Sequence, residues 1–311
     1  MTWLSDRALG HLKSMADLPD FSATRYDIEE EIGRGGMGIV FRGRDRELAR
    51  EVAVKVTTWP GADVDRLRDE ARVLAALEHP GIVAVHDAGR LPDGRAYYVM
   101  AIVRGERFDE RAARVTLADR LRLFDRVCDT VAFAHARGIL HLDLKPANIM
   151  VGPYGDVRVL DWGLARLGSD PGRPITHMAG TEGYMAPEQA RGIVDERSDV
   201  YALGAILRGL VAAESALPSR DRGSGVPATG RPLRPLHSIV MRAMAEDPTN
   251  RYADVASLAA DVRRFVDGHA VDAYREPALE RIARVGRTYR TAIALVFAYL
   301  AMRIVLIFWG R

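Results

Sequence analysis

The sequence predicts an α+β fold with two lobes, a small lobe built on a β-sheet and a larger helical lobe. Runs of β-branched and aromatic residues, which are typical of strands, occupy the first third of the chain. After Gly105, apolar residues recur instead at the spacing of helices. Because each kind of layer buries its own apolar face, we expect two lobes with a cleft between them.

Residues 1–24 are expected to form a short polar helix and a linker. The small lobe is then predicted to contain five strands, at Tyr26–Ile32, Ile39–Arg42, Val52–Val56, Ile82–Asp87 and Ala96–Ile102. Between the third and fourth strands, the apolar residues of Asp65–Leu77 recur at helical spacing. This segment is therefore predicted to be a helix.

The larger lobe is predicted to begin with a long helix at Leu117–Arg137, followed by Gly138 as a stop signal. Two short strands, Ile149–Gly152 and Val157–Leu160, flank a Gly-Pro-Tyr-Gly turn. Beyond residue 190 the pattern is mostly helical, apart from a loop at Leu217–Pro235 that is rich in proline, glycine, serine and arginine.

Composition excludes several classes of protein. The formal net charge of +2 gives no reason to expect a nucleic-acid partner. The single cysteine, Cys128, rules out an internal disulfide framework. The first 20 residues contain scattered charges and no apolar core, so no signal peptide is predicted.

Lysine is scarce in this chain, since only three of the 44 basic residues are lysine: Lys13, Lys55 and Lys145. The lysine side chain is a slim point charge, whereas arginine is a wide planar fork. Sites that keep lysine in an arginine-rich sequence are therefore candidates for a specific role.

The first candidate site combines a glycine cluster with Lys55. Residues Ile32–Val40 have the sequence IGRGGMGIV, and glycines between two strands let backbone N–H groups approach a phosphate. A plain hairpin turn would have the same pattern. Lys55 on a buried strand needs an anion, although a lysine at a strand end can also reach water. Glu70 could pair with it, as could its neighbour Asp69, or Glu70 could be solvated.

The second candidate site is His141–Asn148, with the sequence HLDLKPAN, followed by Asp161-Trp162-Gly163. Phosphoryl transfer needs a carboxylate that orients the attacking hydroxyl, a positioned metal ion and neutralised phosphate charge. Asp143 can be that carboxylate, and Lys145 can offset the phosphate charge. Asn148 and Asp161 carry the oxygen ligands that magnesium prefers.

These segments together resemble the eukaryotic-like, or Hanks-type, serine/threonine protein kinases. The amino-acid sequences of the motifs are most similar to those of the bacterial members. The resemblance rests on Gly33–Val40, Lys55, Glu70, His141–Asn148, Asp161–Gly163 and Ala186–Glu188. It covers about Arg25 to Val266 and implies the bilobal protein kinase fold, with ATP and Mg²⁺ between the lobes. The expected organisation is then residues 1–24, a kinase domain at 25–268, a basic juxtamembrane linker at 269–290 and a hydrophobic helix at 291–309.

The resemblance also implies roles for single residues. Catalysis would involve Asp143, Lys145, Lys55 and Glu70, with Asn148 and Asp161 as metal ligands. ATP would contact Ile32, Gly33, Arg34, Gly35, Gly36, Met37, Gly38, Val40, Ala53, Lys55, Met100, Ala101, Val103 and Met150, with Met100–Val103 as the hinge. Thr181 would shape the substrate pocket, Asp199 would brace the catalytic loop and Glu188 would pair with Arg251.

Four features depart from the family pattern. Leu142 replaces the arginine that normally meets a phosphorylated loop, so we expect activity without that switch. Trp162 replaces phenylalanine, and Ala101 stands where the hinge often carries an acid. The stretch Leu217–Pro235 is irregular where a helix and docking surface are expected. Thr176, Thr181 and Ser169 are candidate phosphorylation sites, or ordinary loop hydroxyls, and a homodimer would serve autophosphorylation.

The segment Thr291–Trp309 has the sequence TAIALVFAYLAMRIVLIFW, with Arg303 as its single charge. A helix needs roughly 20 residues to cross the hydrocarbon, so a transmembrane helix is predicted. Basic residues precede it, at Arg281, Arg284, Arg287 and Arg290, which places the kinase domain on the cytoplasmic side of the cell membrane. The alternative is a hydrophobic helix docked on the kinase domain or on a partner.

Two other functions remain open from the sequence. A pseudokinase scaffold would bind nucleotide without transferring phosphate, although the set of acidic, amide and lysine residues is complete. A small-molecule phosphotransferase would share the Asp143 and Asn148 chemistry, but it would not be expected to carry the segment GTEGYMAPE that contains Thr181. Protein serine or threonine side chains are therefore the expected substrates.

Overall fold

The computed structural model describes residues 19–35, 38–58, 64–163, 165–167, 180–215, 233–278, 281 and 290–309. Several predictions fall outside these ranges. They concern residues 1–18, Gly36 and Met37 of the glycine cluster, Ser169, Thr176 and most of the 217–235 loop.

An antiparallel five-stranded sheet forms the small lobe, with its strands in the order β1-β2-β3-β5-β4. The strands are β1 (Tyr26–Gly35), β2 (Gly38–Asp45), β3 (Arg50–Val56), β4 (Val85–Arg90) and β5 (Ala96–Ala101). Helix α1 (Val64–Ala76) packs on β4 and β5. The five predicted strands and the predicted helix are all found.

The fourth strand begins later than predicted, because its first residues form a turn. The Ile82 N–H donates to the His79 carbonyl oxygen at 2.9 Å. Ile82 then makes an isolated parallel bridge to Val159 in the other lobe. The apolar pattern at Ile82 and Val83 therefore reflects burial between the lobes rather than pairing within the sheet.

Two apolar clusters lie on opposite faces of the sheet. One cluster covers the outer face and includes Tyr26, Phe41 and Tyr97. The other contains the buried face of α1 and Tyr98, and it continues without a break into the helical lobe. The adjacent residues Tyr97 and Tyr98 on β5 thus belong to different cores, as the alternation of side chains along a strand requires.

The helical lobe is built around one long helix. Its helices are α2 (Phe108–Ala112), α3 (Leu117–His135), α4 (Glu196–Ser215), α5 (Arg234–Ala243) and α6 (Val255–Asp267). The central helix α3 begins after Thr116, whose hydroxyl oxygen accepts from the Asp119 N–H at 3.2 Å. It packs against α4 and α6. Gly138 follows it with a φ of 71°, a left-handed conformation that favours glycine at a helix end.

Short strands complete the helical lobe at its boundary with the small lobe. They are β6 (Glu106–Arg107), β7 (Ile139–Leu140), β8 (Ile149–Val151), β9 (Val157–Val159) and β10 (Arg166–Leu167). Strands β8 and β9 form a tight antiparallel hairpin, with β6 beside β8. The two predicted strands around the Gly-Pro-Tyr-Gly turn are therefore found.

The segment after α6 remains attached to the helical lobe. The buried carboxylate of Asp261 accepts from the backbone N–H groups of Asp272 and Ala273, at 2.8 and 3.0 Å, and from the Tyr252 hydroxyl at 2.8 Å. Val271 is buried beside it. Contacts of this lobe therefore continue beyond the end of α6.

The last helix, α7 (Arg290–Trp309), contains 20 residues. Its described side chains are exposed, and the exposed fraction reaches 71% at Leu295 and 86% at Trp309. Within the ranges that the structure describes, no helix is both long enough and apolar enough to cross a membrane.

Candidate active site

Lys55 lies on β3 at the cleft, with its ammonium group between two carboxylates. Its Nζ donates to both oxygens of Glu70, at 2.7 and 2.8 Å, and lies 3.3 Å from Oδ1 of Asp161. Only 7% of Lys55 is exposed, whereas 43% of the Asp161 side chain is exposed. The ammonium therefore sits where the core of the small lobe opens into the cleft.

Electrostatics keep this lysine charged. Burial by itself would lower the pKa of the Lys55 ammonium, but the carboxylates of Glu70 and Asp161 outweigh burial and leave that pKa raised. A permanent positive charge at the base of a cleft is suited to an anionic ligand such as a phosphate chain.

The structure decides between Glu70 and Asp69 as the partner of Lys55. Glu70 is 3% exposed and is the charged residue on the buried face of α1. Asp69 points to the surface, where it contacts Arg72 at 3.5 Å. The solvated alternative for Glu70 is therefore wrong, and Asp69 is not the partner.

Asp143 is surrounded by donors on the other side of the cleft. Lys145 Nζ donates to its Oδ2 at 2.8 Å, and the Thr181 hydroxyl donates to its Oδ1 at 2.9 Å. Asn148 Nδ2 donates to the Asp143 carbonyl oxygen at 2.9 Å and to Oδ2 at 3.2 Å. Lys145 Nζ also lies 2.7 Å from Thr181 Oγ1. An aliphatic hydroxyl therefore already fits between the carboxylate and the ammonium group.

A buried aspartate holds the backbone of this loop. Asp199, at the N-terminal turn of α4, accepts from the N–H groups of His141 and Leu142, both at 2.8 Å. His135 Nε2 lies 2.7 Å from the same carboxylate. Burial opposes ionisation of Asp199, but the hydrogen bond from His135 and its other donors leave its pKa below the ordinary value of 3.8.

The hairpin β8–β9 brings the two oxygen-bearing residues Asn148 and Asp161 to one end. Asn148 directly precedes β8, and the Leu160 N–H donates to its carbonyl oxygen at 2.7 Å. Asp161 follows with a φ of 59°, a left-handed conformation that is uncommon outside glycine and typical of strained functional sites. Trp162 is 1% exposed and its indole N–H donates to the Val159 carbonyl oxygen at 3.1 Å. The bulky replacement at Trp162 therefore packs in the core.

The described glycines of the cluster, Gly33, Gly35 and Gly38, lie at the ends of β1 and β2 that pair with each other. Gly38 pairs with Gly35, and a Cβ at Gly38 would lie 2.3 Å from the Val56 carbonyl oxygen, so this position requires glycine. A Cβ at Gly35 would meet no atom within 4 Å, and one at Gly33 would meet only Val40 at 3.9 Å. There is room for a ligand beside Gly33 and Gly35.

The apolar residues expected to contact the adenine come from both lobes. Ala53 on β3 is buried and pairs with Met100 on β5, whereas Met150 on β8 is half-buried. Met100, Val40, Ala101 and Val103 are also half-buried. Ile32 is 45% exposed. Arg34 is also exposed, and its guanidinium donates to the two carboxylate oxygens of Glu31, at 2.9 and 2.6 Å. Half-buried apolar side chains of this kind suit the lining of a nucleotide site.

The position of the missing arginine is occupied by a buried leucine. Leu142 is 6% exposed and has a φ of 66°. Its N–H is bound by Asp199, and its carbonyl oxygen accepts from Gln189 Nε2 at 2.7 Å. The side chain of residue 142 therefore offers no group that could bind a phosphate.

The predicted pair of Glu188 and Arg251 is found in the core of the helical lobe. The two guanidinium nitrogens of Arg251 donate to the two carboxylate oxygens of Glu188, at 2.7 and 2.8 Å. Ser198 also donates to Glu188, at 3.0 Å. This pair anchors the segment that follows Thr181.

Sequence reasoning missed three residues that touch this site. Tyr98 donates to Glu70 at 3.0 Å, His135 binds Asp199, and Gln189 binds Leu142. The run Ala96–Met100 is apolar except for the hydroxyls of Tyr97 and Tyr98, and these were the available signal for Tyr98. Nothing in the sequence indicated Gln189, because its partner is a backbone carbonyl oxygen.

Among the residues that the structure describes, no cluster of three or more histidine, cysteine or acidic side chains forms a metal cage. Magnesium rarely uses such a cage, because it is usually held by one or two protein oxygens together with substrate phosphates and water. Asn148 uses its Nδ2 for Asp143, which leaves Oδ1 as the atom that could face a cation. The side-chain oxygens of Asn148 and Asp161 therefore fit a magnesium ion that is held by one or two protein oxygens together with phosphates and water.

Residues 26–266 match the protein kinase domain family. The chain is 38% identical to serine/threonine-protein kinase PknB of Mycolicibacterium smegmatis, over 82% of this chain and 45% of that protein. It is 37% identical to PknB of Mycobacterium tuberculosis, over the same shares, and 34% identical to PknD of Chlamydia caviae, over 78% of this chain and 31% of that protein. The chain thus spans less than half the length of these curated relatives.

Proposed function

The chain belongs to the protein kinase domain family, within its bacterial Hanks-type serine/threonine branch, and from this premise we propose that it transfers the γ-phosphate of ATP to serine or threonine hydroxyls of proteins. Members of this family use ATP and Mg²⁺. The observation that carries the proposal is the arrangement around Asp143, where Lys145 and the Thr181 hydroxyl contact one carboxylate.

Each side of the cleft would have its own task. Lys55, held by Glu70, would bind the α- and β-phosphates, and the glycines of the β1–β2 hairpin would admit the phosphate chain. The apolar residues Val40, Ala53 and Met150 would enclose the adenine. Backbone groups of Met100–Val103 would hydrogen-bond to the polar edge of the adenine. An acidic side chain would then not be needed at the hinge, which is consistent with Ala101.

The attacking hydroxyl would occupy the place beside Asp143 where Thr181 now shows that a hydroxyl fits. Asp143 would orient this hydroxyl and accept its proton, while Lys145 would offset charge on the transferred phosphate. Asn148 and Asp161 would hold Mg²⁺, which when bound neutralises charge on the phosphate oxygens. Nothing in this arrangement requires a covalent link between the enzyme and phosphate.

Transfer to a protein is tested with labelled ATP, Mg²⁺ and a generic basic protein substrate. We expect incorporation by the wild type and a loss of about 10²- to 10⁴-fold in Asp143→Asn, because the oriented carboxylate is removed. Asp69→Asn is the matched control, since Asp69 is an exposed acid outside the cleft. Nucleotide binding without transfer would instead identify a pseudokinase, and transfer only to sugars or antibiotics would identify a small-molecule phosphotransferase.

A second copy of the chain is proposed as one protein substrate, with Thr176, Thr181 and Ser169 as the acceptor candidates. Thr181 contacts Asp143 of its own chain, so it would have to leave this position to be modified. The test mixes active chain with a tagged Lys55→Met chain. Label on the tagged chain supports transfer between copies in a homodimer, and unlabelled tagged chain contradicts it.

We also propose that residues 291–309 attach the protein to the cell membrane, with the kinase domain on the cytoplasmic side. The support is the sequence, which has one charge in 19 residues, and the exposure of those apolar side chains of α7 that the structure describes. Arg303 would cost about 2.5–3.5 kcal/mol at the centre of a membrane, but it is off-centre and its long side chain can reach the far surface.

A further inference from the structure

Tyr98 is a buried hydroxyl that none of the proposed steps uses. It lies on β5, paired in register with Lys55 on β3, and only 2% of it is exposed. A strand position in this core would be filled as well by an apolar side chain, because a buried hydroxyl costs free energy unless it is hydrogen-bonded. The hydroxyl of Tyr98 therefore needs an explanation of its own.

The partner of this hydroxyl is the carboxylate that holds the phosphate-binding lysine. Tyr98 donates to Oε1 of Glu70 at 3.0 Å, the same oxygen that Lys55 contacts at 2.7 Å. Lys55 Nζ in turn lies 5.9 Å from the centre of the Tyr98 ring. Tyr98 thus contacts both members of the pair.

A chain of contacts runs from the core to the cleft through these groups. Its exposed fraction rises from 2% at Tyr98 and 3% at Glu70 to 7% at Lys55, and then to 43% for the Asp161 side chain. The outer end would face the nucleotide and its metal ion. The inner end is fixed by the sheet, so it can hold Glu70 whether or not Lys55 turns towards a phosphate.

Burial keeps Tyr98 a donor. Desolvation first, and the Glu70 carboxylate second, raise the pKa of the Tyr98 phenol well above its ordinary value of 10. A neutral phenol donating to a carboxylate makes a charge-assisted hydrogen bond, which is stronger than one between neutral groups.

We propose that Tyr98 is a positioning residue, which ties Glu70 and with it helix α1 to the sheet and so presets Lys55 for the phosphates of ATP. This inference rests on the proposed function only for the identity of the ligand. The contact itself joins α1 to β5 in the protein without nucleotide.

The test is a double-mutant cycle on the full chain, with the dissociation constant of Mg-ATP measured by calorimetry. The four proteins are wild type, Tyr98→Phe, Glu70→Ala and the double variant. Loss of a hydrogen bond to a charged group should weaken binding about tenfold in Tyr98→Phe. In the Glu70→Ala background, the same change should weaken binding less than about twofold, because the acceptor is already gone.

Tyr97→Phe is the matched control, since Tyr97 is the next residue on β5 but belongs to the outer cluster. It should leave binding within about twofold of the wild type. Equal losses for Tyr98→Phe in both backgrounds, or no loss in either, would overturn the proposal, because Tyr98 would not act through Glu70.

A second readout does not depend on nucleotide. Amide hydrogen exchange in residues 64–76 should accelerate about tenfold in Tyr98→Phe and stay unchanged in Tyr97→Phe, because the tie between α1 and the sheet is lost. Unchanged exchange in Tyr98→Phe would overturn the positioning role. If the wild type bound no Mg-ATP, the proposed function would fail while exchange still decided the role of Tyr98.

Discussion

At the scale of single residues, the two lysines in the cleft show why an arginine-rich chain keeps lysine at these positions. The Lys55 ammonium contacts three carboxylate oxygens within 3.3 Å, and the Lys145 ammonium contacts both Asp143 and Thr181 within 2.8 Å. A guanidinium is a wide planar group, so it cannot replace the single ammonium nitrogen that makes all of these contacts. The scarcity of lysine in the sequence therefore indicated these positions independently of any motif.

Lys55→Arg should therefore lower kcat/KM about ten- to a hundredfold, because the bonds to Glu70 and to phosphate are misplaced. Lys13→Arg is the control with the same chemical change outside the predicted motifs, and it should keep the wild-type rate. Steady-state kinetics with varied ATP measure both. Full activity of Lys55→Arg would contradict a need for a point charge.

Leu142 leads to a prediction about regulation. Its buried apolar side chain cannot bind a phosphorylated loop, so activity should not require loop phosphorylation. Treatment with phosphatase, followed by removal of the phosphatase, should change the initial rate by less than about twofold. The prediction fails if the treated enzyme loses most of its rate and regains it after incubation with ATP.

At the scale of elements, sequence patterns predicted the regular segments and missed those fixed by contacts between lobes. The helix predicted at Leu117–Arg137 is α3, ending at His135, because one apolar stripe spans its whole length. Strand β4 was displaced by a turn at His79–Ile82. Helix α2 has five residues, too few for any helical periodicity to appear.

The pair of Glu188 and Arg251 fixes the segment after Thr181 to the helical lobe, and it should be worth more than a surface pair. Arg251→Met should lower the free energy of unfolding by about 3–5 kcal/mol, because Glu188 would remain buried without its partner. Arg122→Met is the control, since Arg122 donates to Asp119 in an exposed pair at the surface, and its replacement should cost less than about 1 kcal/mol. Urea unfolding measures both, and equal losses would contradict the distinction.

At the scale of the whole molecule, the site lies where two independently patterned lobes meet. The sequence predicted candidates for the chemistry, since Lys55, Asp143 and Asn148 stand in dense local motifs. It could not supply the contacts that cross between distant segments, such as Tyr98 with Glu70 or Gln189 with Leu142. Such contacts depend on packing within each lobe, so the sequence around one partner does not identify the other.

The proposed attachment to a membrane is also a property of the whole molecule. We expect the full chain to sediment with membranes and to resist extraction by alkaline carbonate, because the sequence of residues 291–309 is apolar with a single charge. Detergent should release it, which controls for aggregation. Release by carbonate alone would contradict a spanning helix and favour docking of α7 on a protein.

The hydrogen bonds that residue 142 makes with Asp199 and Gln189 affect which amino acids this position tolerates. Both contacts are made to main-chain atoms, which nearly any amino acid supplies, whereas the buried position of the Leu142 side chain limits which side chains fit there. Proline is the exception, because it has no N–H and cannot adopt a positive φ. Replacing Leu142 by arginine should therefore keep both main-chain hydrogen bonds, and its effect on stability should depend on whether the longer charged side chain can reach solvent.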